Sequence, residues 1–324
     1  MVHKCFHGAI QGNNIRVVRF LIKTGVVNIN DESSPLGTAL QAAAYYGHSE
    51  VVSILYKMGS DVHLSQSNNL KIALQTAASK GHLEVVTILC EKDTDVDAQD
   101  NTHGTALQAA ASQGHLDVVK FLCEKSADIN IQGGEHNTAL QAAAYWGSLD
   151  IVKLLVNKGA NVNIQGGHYG TALQAAAYQD HLEIVALLIE NSADVNAQSG
   201  YYGTTLQAAA YQSHLKIVMF LIEKDANVNA QSGHYGTALQ AAVFQGHLEI
   251  VALLVENAAD VNVQAGHYGN ALQAAEYKGH SDILKFLLHM EKSIQTQKID
   301  EDQDIDALRF ENEYSQLHPG NLNP

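Results

Sequence analysis

Basic residues are scarce in this chain. Its 19 Lys and Arg stand against 34 Asp and Glu, for a net charge of −15 over 324 residues. Phosphate backbones are bound by clustered cations, so nucleic acid is not expected as a partner, nor is an anionic membrane surface. No apolar run approaches the roughly 20 residues of a membrane-spanning helix. Met1-Val2-His3-Lys4-Cys5 does not open like a secretory signal. Cysteine is also rare, with three in all. Cys90 and Cys123 hold the same place in adjacent repeats, which packing would set about 8–10 Å apart. A disulfide needs Cα atoms within about 7 Å. Both are expected as buried thiols in a reducing compartment, cytoplasmic or nuclear.

Catalytic signatures are missing as well. The glycine-rich Gly166-Gly167-His168-Tyr169-Gly170 is not followed by Lys-Ser/Thr, so it is no phosphate-binding loop. There is no His-Glu-x-x-His, no Gly-x-Ser-x-Gly and no paired Cys-x-x-Cys. No metal and no cofactor is expected. Histidine is plentiful, with 17. Seven of them (His48, His82, His115, His181, His214, His247 and His280) recur in register. Neighbours of that series would lie about 10 Å apart, too far to share one ion.

What the chain has is repetition. Thr-Ala-Leu-Gln begins at Thr105, Thr138, Thr171 and Thr237, with Thr-Thr-Leu-Gln at Thr204 and Asn-Ala-Leu-Gln at Asn270, each 33 residues after the last or a multiple of that. An earlier copy starts at Thr38, and a degenerate one at Ile72 follows it by 34 residues. A fixed period of this length means a solenoid, in which each unit packs only on its neighbours. Thr171 is expected to cap a short helix, Ala172 to Tyr178. Glycines at 47, 81, 114, 147, 246 and 279 end such helices in the left-handed conformation, with Asp180 and Ser213 as departures. A second helix follows, as in His181 to Ile189, with apolar residues at i, i+3, i+4. Ala193 to Gln198 then leads into Ser199-Gly200-Tyr201-Tyr202-Gly203, expected as a hairpin-like finger.

The ends differ. Residues 1–34 read as a degenerate first unit, with Asn13 at the glycine position and Arg16 and Arg19 giving its second helix a more polar, capping face. Residues 35–290 hold eight full units. Residues 291–324 carry eight acids and three bases. They are expected as an acidic disordered tail, or as a short helix near 302–317 covering the last unit.

Thr-x-Leu-x-x-Ala-Ala, Gly-His-Leu-Glu-Val-Val and Ala-Asp-Val-Asn-Ala in a 33-residue unit resemble the ankyrin repeat, over residues 1–290. The resemblance implies an all-α solenoid of stacked helix-turn-helix units with hairpin-like fingers. It also implies a concave surface that binds a protein partner. Two departures are systematic. Ala39, Ala106, Ala172 or Thr205 stand where the family usually has Pro, which suits a first helical position without being required there. Gln41, Gln75, Gln108, Gln141, Gln174, Gln207, Gln240 and Gln273 stand where it has His, and Gln can still donate and accept between repeats. The Ala-Leu-Gln-Ala-Ala variant with its Tyr-Gly finger is similar to fungal arrays joined to NACHT-type ATPase domains. With no ATPase segment here, the chain reads as a stand-alone array or a fragment.

Carried over position by position, the family's binding surface falls on Tyr145, Trp146, Tyr178, Gln179, Tyr211, Phe244 and Tyr277 of the helices. The fingers add His168, Tyr169, Tyr202, His234 and Tyr235. Aromatic residues occupy these sites in every unit from 136 to 278 and none from 72 to 120. Tyrosine and tryptophan concentrate at binding hot spots, while a Tyr repeated in unit after unit also suits a ladder that stiffens the solenoid. Trp146, the lone tryptophan, breaks a series of Gln and Lys. Two functions follow. One is a non-catalytic scaffold for a protein or peptide, neutral or basic given the acidic chain. The other is a small-molecule binder or enzyme using Tyr145, Tyr178, Tyr211, His168 and His234 as acid–base groups between Trp146 and Phe244.

Overall fold

The computed structural model describes residues 2–59, 66–91, 94–100 and 104–292. They form nine helix pairs in chain order. The first is α1 (Val2–Gln11) with α2 (Ile15–Lys23). Next come α3 (Ala39–Tyr46) with α4 (Ser49–Gly59), α5 (Gln66–Ser79) with α6 (Leu83–Cys90), and α7 (Ala106–Ser112) with α8 (Leu116–Glu124). The series continues through α9 (Ala139–Tyr145), α10 (Leu149–Asn157), α11 (Ala172–Tyr178), α12 (Leu182–Glu190), α13 (Thr205–Tyr211) and α14 (Leu215–Glu223). It closes with α15 (Ala238–Gln245), α16 (Leu248–Glu256), α17 (Ala271–Lys278) and α18 (281–292). The first helices pack on one another, as do the second helices, so one core runs the length of the array.

The repeated letters explain the helices. Thr171 is extended (φ −121°, ψ 168°), and its hydroxyl accepts from Gln174 N at 3.1 Å while Gln174 Oε1 accepts from Thr171 N at 2.7 Å. This is a capping box closed by glutamine. The same glutamine reaches forward: its Nε2 donates to Gly203 O at 2.6 Å and Ala197 O at 3.1 Å in the next unit. Gln75, Gln108, Gln141, Gln207 and Gln240 make the equivalent bond to the carbonyl before the next capping residue. One side chain thus caps its own helix and ties two units together. Second helices bury a stripe such as Ile184, Val185 and Leu188. Asp180 (φ 64°) and Ser213 (φ 66°) hold the left-handed conformation without being glycine, and Asn13 (φ 50°) does so in the first unit.

The in-register histidines are structural. His181 precedes α12, and its Nε2–H donates to Tyr145 O at 3.1 Å, on the first helix of the preceding unit. His48, His82, His115, His214, His247 and His280 do the same to residues 11, 45, 79, 178, 211 and 244. A second ladder runs along the exit loops, where Asp194 N donates to Asn163 Oδ1 and Asn227 N to Asn196 Oδ1, at 2.8 and 2.7 Å.

One expectation needs correction. The second full unit was expected to start its helix at Ile72 after a finger, but α5 begins at Gln66. Residues 66–71 hold no glycine to break the helix and no threonine to start it at 72, so the helix runs on. Gln41 reaches Asn69 Oδ1 on α5 at 3.4 Å. In the first unit Arg19 pairs with Glu50 at 3.2 Å, and Phe20 on the same helix is 65% exposed. The last second helix is described from 281 to 292. The acidic tail and the helix expected near 302–317 lie outside the described residues. Cys90 and Cys123 are half-buried free thiols, and burial pushes the Cys90 thiol up to about 11.

Candidate interaction groove

From α9 onward each first helix carries an aromatic residue at or next to its end, facing the fingers, and each finger from 166 onward carries another. They interleave. Ring centroids run from Tyr145 to Tyr169 (4.5 Å), Tyr178 (5.1 Å), Tyr202 (4.7 Å), Tyr211 (5.2 Å) and Tyr235 (4.7 Å). The ladder continues to Phe244 (5.1 Å), Tyr268 (4.6 Å) and Tyr277 (5.2 Å). Tilted contacts at these separations suit the ring quadrupole.

The fingers themselves are in backbone contact. Each is closed by a bridge, Gly166 with Gly170, Ser199 with Gly203 and Ser232 with Gly236. Tyr201 N donates to His168 O, His234 N to Tyr201 O and His267 N to His234 O, at 2.9–3.0 Å. Glycine is required for this approach: a Cβ on Gly200 or Gly233 would come within 2.5 Å of the nitrogen of Gly170 or Gly203. Rings of successive finger tyrosines are 6.4–6.5 Å apart, closer than the 8–10 Å of packed helices. Successive fingers therefore pack side by side through both backbone and rings. On their rim His168, Tyr201, His234 and His267 stack face to face at 4.9–5.5 Å.

The sequence-derived site residues divide. Trp146 is 55% and Tyr277 72% exposed, and His168 is exposed. Tyr145, Tyr178, Gln179, Tyr211, Phe244, His234 and Tyr169 are half-buried. Tyr202 and Tyr235, expected on the binding surface, are 8% and 6% exposed and belong to the packing. The close finger stack seals them between helix ends. Burial raises their phenols and that of Tyr169 well above the ordinary tyrosine range, helped by hydrogen bonds with Tyr178, Tyr211 and Tyr145 respectively. Trp146 and Phe244 stand three units apart along the ladder, so they do not wall one acid–base pocket.

The ladder stops at Tyr145. One unit earlier the helix ends in Ser112 where later units have Tyr or Phe. The same junction has a second loss, which the sequence reading passed over: Ser148 occupies the fourth of the eight places in the histidine series. The register alone marks it. At Gly47, Gly81, Gly147 and Gly246 a Cβ would meet an imidazole within 2.8 Å, but on Gly114 it would meet only Ser148 Oγ at 3.5 Å. Two adjoining clefts result, of about 170 Å³ beside Ser112, His136 and Trp146, and about 230 Å³ beside Gly114, Trp146 and Ser148. The Trp146 Nε1–H donates to His136 Nε2 at 3.2 Å, and the indole meets Tyr145 edge-on at 5.1 Å. Burial holds His136 below the ordinary imidazole range, against the pull of Glu135, which suits an acceptor nitrogen.

A family model described as ankyrin repeats, three copies, matches residues 3–66, 59–133, 132–199, 174–265 and 233–300. The chain belongs to the ankyrin-repeat family. Members of this family are in general protein–protein interaction modules. A search of curated proteins returned no match. In this ankyrin array no helix of the described residues is long and apolar enough to cross a membrane. Among the same residues no cluster of three or more His, Cys, Asp or Glu is placed to hold a metal ion.

Proposed function

We propose that the array is a non-catalytic scaffold that takes an extended peptide or protein segment in the groove of residues 136–278, anchored on Trp146. The observation that carries this reading is the exposed indole at the open end of the aromatic ladder, flanked by the Ser112 and Ser148 clefts. A large, rigid, amphipathic ring beside an unfilled space has the chemistry of a binding hot spot. Tyr145, Tyr178, Tyr211, Phe244 and Tyr277 extend the contact surface, with Gln179 to pair peptide amides and His168 and His234 at the rim. Tyr169, Tyr202 and Tyr235 brace the surface from beneath. A net charge of −15 favours a neutral or basic partner. An open groove excludes water poorly, which argues against catalysis there.

Half-buried free thiols support a reducing compartment, and we place the chain in the cytoplasm. The Ala-Leu-Gln-Ala-Ala repeat supports kinship with fungal arrays coupled to NACHT-type ATPase domains. The test is selection of ligands from a random peptide library, followed by titration of the selected peptides against wild type and Trp146→Ala.

A further inference from the structure

A larger cavity, of about 480 Å³, opens between the first and second helix pairs, within the usual size of small-molecule sites. Its origin is a missing rung. In later units a finger tyrosine fills this space, as Tyr169 does between Tyr145 and Tyr178. The finger before α3 is instead the four-residue turn Ser34–Gly37, with Pro35 and Leu36 at its tip and Gly37 N bonded to Ser34 O at 2.9 Å. On the α1 side Gln11 holds the ladder position and Gly8 the place of an alanine. Tyr45 and Tyr46, edge-on to each other at 5.1 Å, line the opposite wall.

Lys4 is the one fixed charge in the cavity's lining, with burial holding the His7 imidazole below its ordinary range. His3, Lys4 and His7 line it from α1, and no residue lining it is acidic, although the protein carries a net −15. Asp31, outside the lining, is already engaged, 3.1 Å from His3 Nδ1 and accepting from Ser33 Oγ at 2.8 Å. Ser34 Oγ accepts from Leu36 N at 3.3 Å, which leaves its proton for donation into the space. Lys80 Nζ sits 4.7 Å from the centre of the Tyr45 ring, adding further positive charge beside that wall.

We propose that this cavity binds a small aromatic anion, a planar ring bearing a phosphate or carboxylate. The ring takes the place of the missing tyrosine against Tyr45 and Tyr46. The anionic group meets the Lys4 ammonium, the imidazoles of His3 and His7 and the Ser34 hydroxyl. The site is separate from the groove of 136–278 and stands or falls without it.

Phenyl phosphate is a suitable probe, titrated calorimetrically into the full chain. The expected result is one site with a Kd on the order of 1 mM or tighter. Lys4→Ala should weaken it about tenfold, the loss of one charge-assisted hydrogen bond. Inorganic phosphate, which has no ring, should bind at least about tenfold more weakly, as stacking contributes in this range. Gly8→Phe should fill the cavity and abolish binding. A Cβ at Gly8 meets nothing within 4 Å, and glycine within a helix is itself unfavourable, so this variant should melt no lower than wild type. Absence of heat at about 10 mM probe, a concentration that saturates a 1 mM site, would overturn the proposal. So would binding that survives Gly8→Phe, or equal affinity for phosphate and phenyl phosphate.

Discussion

The indole Nε1–H of Trp146 donates to His136 Nε2 at 3.2 Å, joining the end of α9 to the finger that precedes it. The bond holds the exposed ring at a fixed angle against Tyr145 while little of it is packed. Trp146→Ala should therefore change unfolding free energy by no more than about 0.5 kcal/mol, as for an exposed position. Denaturant unfolding checks this. A loss of several kcal/mol would place the indole in the core.

Gln174 carries three hydrogen bonds at 1% exposure, one accepted from Thr171 N and two donated to Gly203 O and Ala197 O. Gln174→Ala strands buried backbone groups, at about 1–3 kcal/mol for each one left without a partner. Gln174→Glu keeps the capping acceptor but places a carboxylate against two carbonyl oxygens. Both variants should lower the unfolding midpoint in urea, and Gln174→Glu should recover part of the loss as pH falls and the side chain regains a donor proton.

Thr205 is fully buried, and its hydroxyl has no hydrogen-bond partner, where Ala106, Ala139, Ala172 and Ala238 stand in other units. A buried unpaired hydroxyl costs about 1–3 kcal/mol. Thr205→Ala should raise the melting temperature, despite removing a methyl group from the core.

Tyr169, Tyr202 and Tyr235 have folded-state pKa values raised above that of an unfolded tyrosine, first by burial. A raised folded value means that the contribution is fully present below the unfolded pKa of about 10 and is lost as pH climbs above it. The array should melt at a nearly constant temperature from about pH 7 to 9 and progressively lower above about 10. Tyr202→Phe/Tyr235→Phe should flatten that alkaline decline, which thermal melts across the range would record.

Much of the fold was legible because one unit says the same thing many times. Thr171 with Gln174, the turn glycines and the left-handed Asp180 and Ser213 act within a few residues, so local chemistry reveals them. The helix at Gln66 hid behind the repeat: its Ile72-Ala-Leu-Gln was read in register with the others. The burial of Tyr202 and Tyr235 was not legible, because the same letters stand in every finger and their environment comes from residues 33 positions away. The vacancy at Ser148 was visible in principle as a break in the histidine series. Its meaning needed the neighbouring Ser112 and Trp146, which only packing brings together.

The central claim is that Trp146 and its clefts anchor a peptide. It is tested most directly by calorimetric titration of library-selected peptides against wild type, Trp146→Ala and a Ser112→Tyr/Ser148→His variant that fills the clefts. The account predicts selected peptides that share an aromatic residue, with affinity falling at least about tenfold in both variants, or about 1.4 kcal/mol, while both stay folded. Peptides that bind all three proteins equally would contradict it, as would a library that yields no ligand.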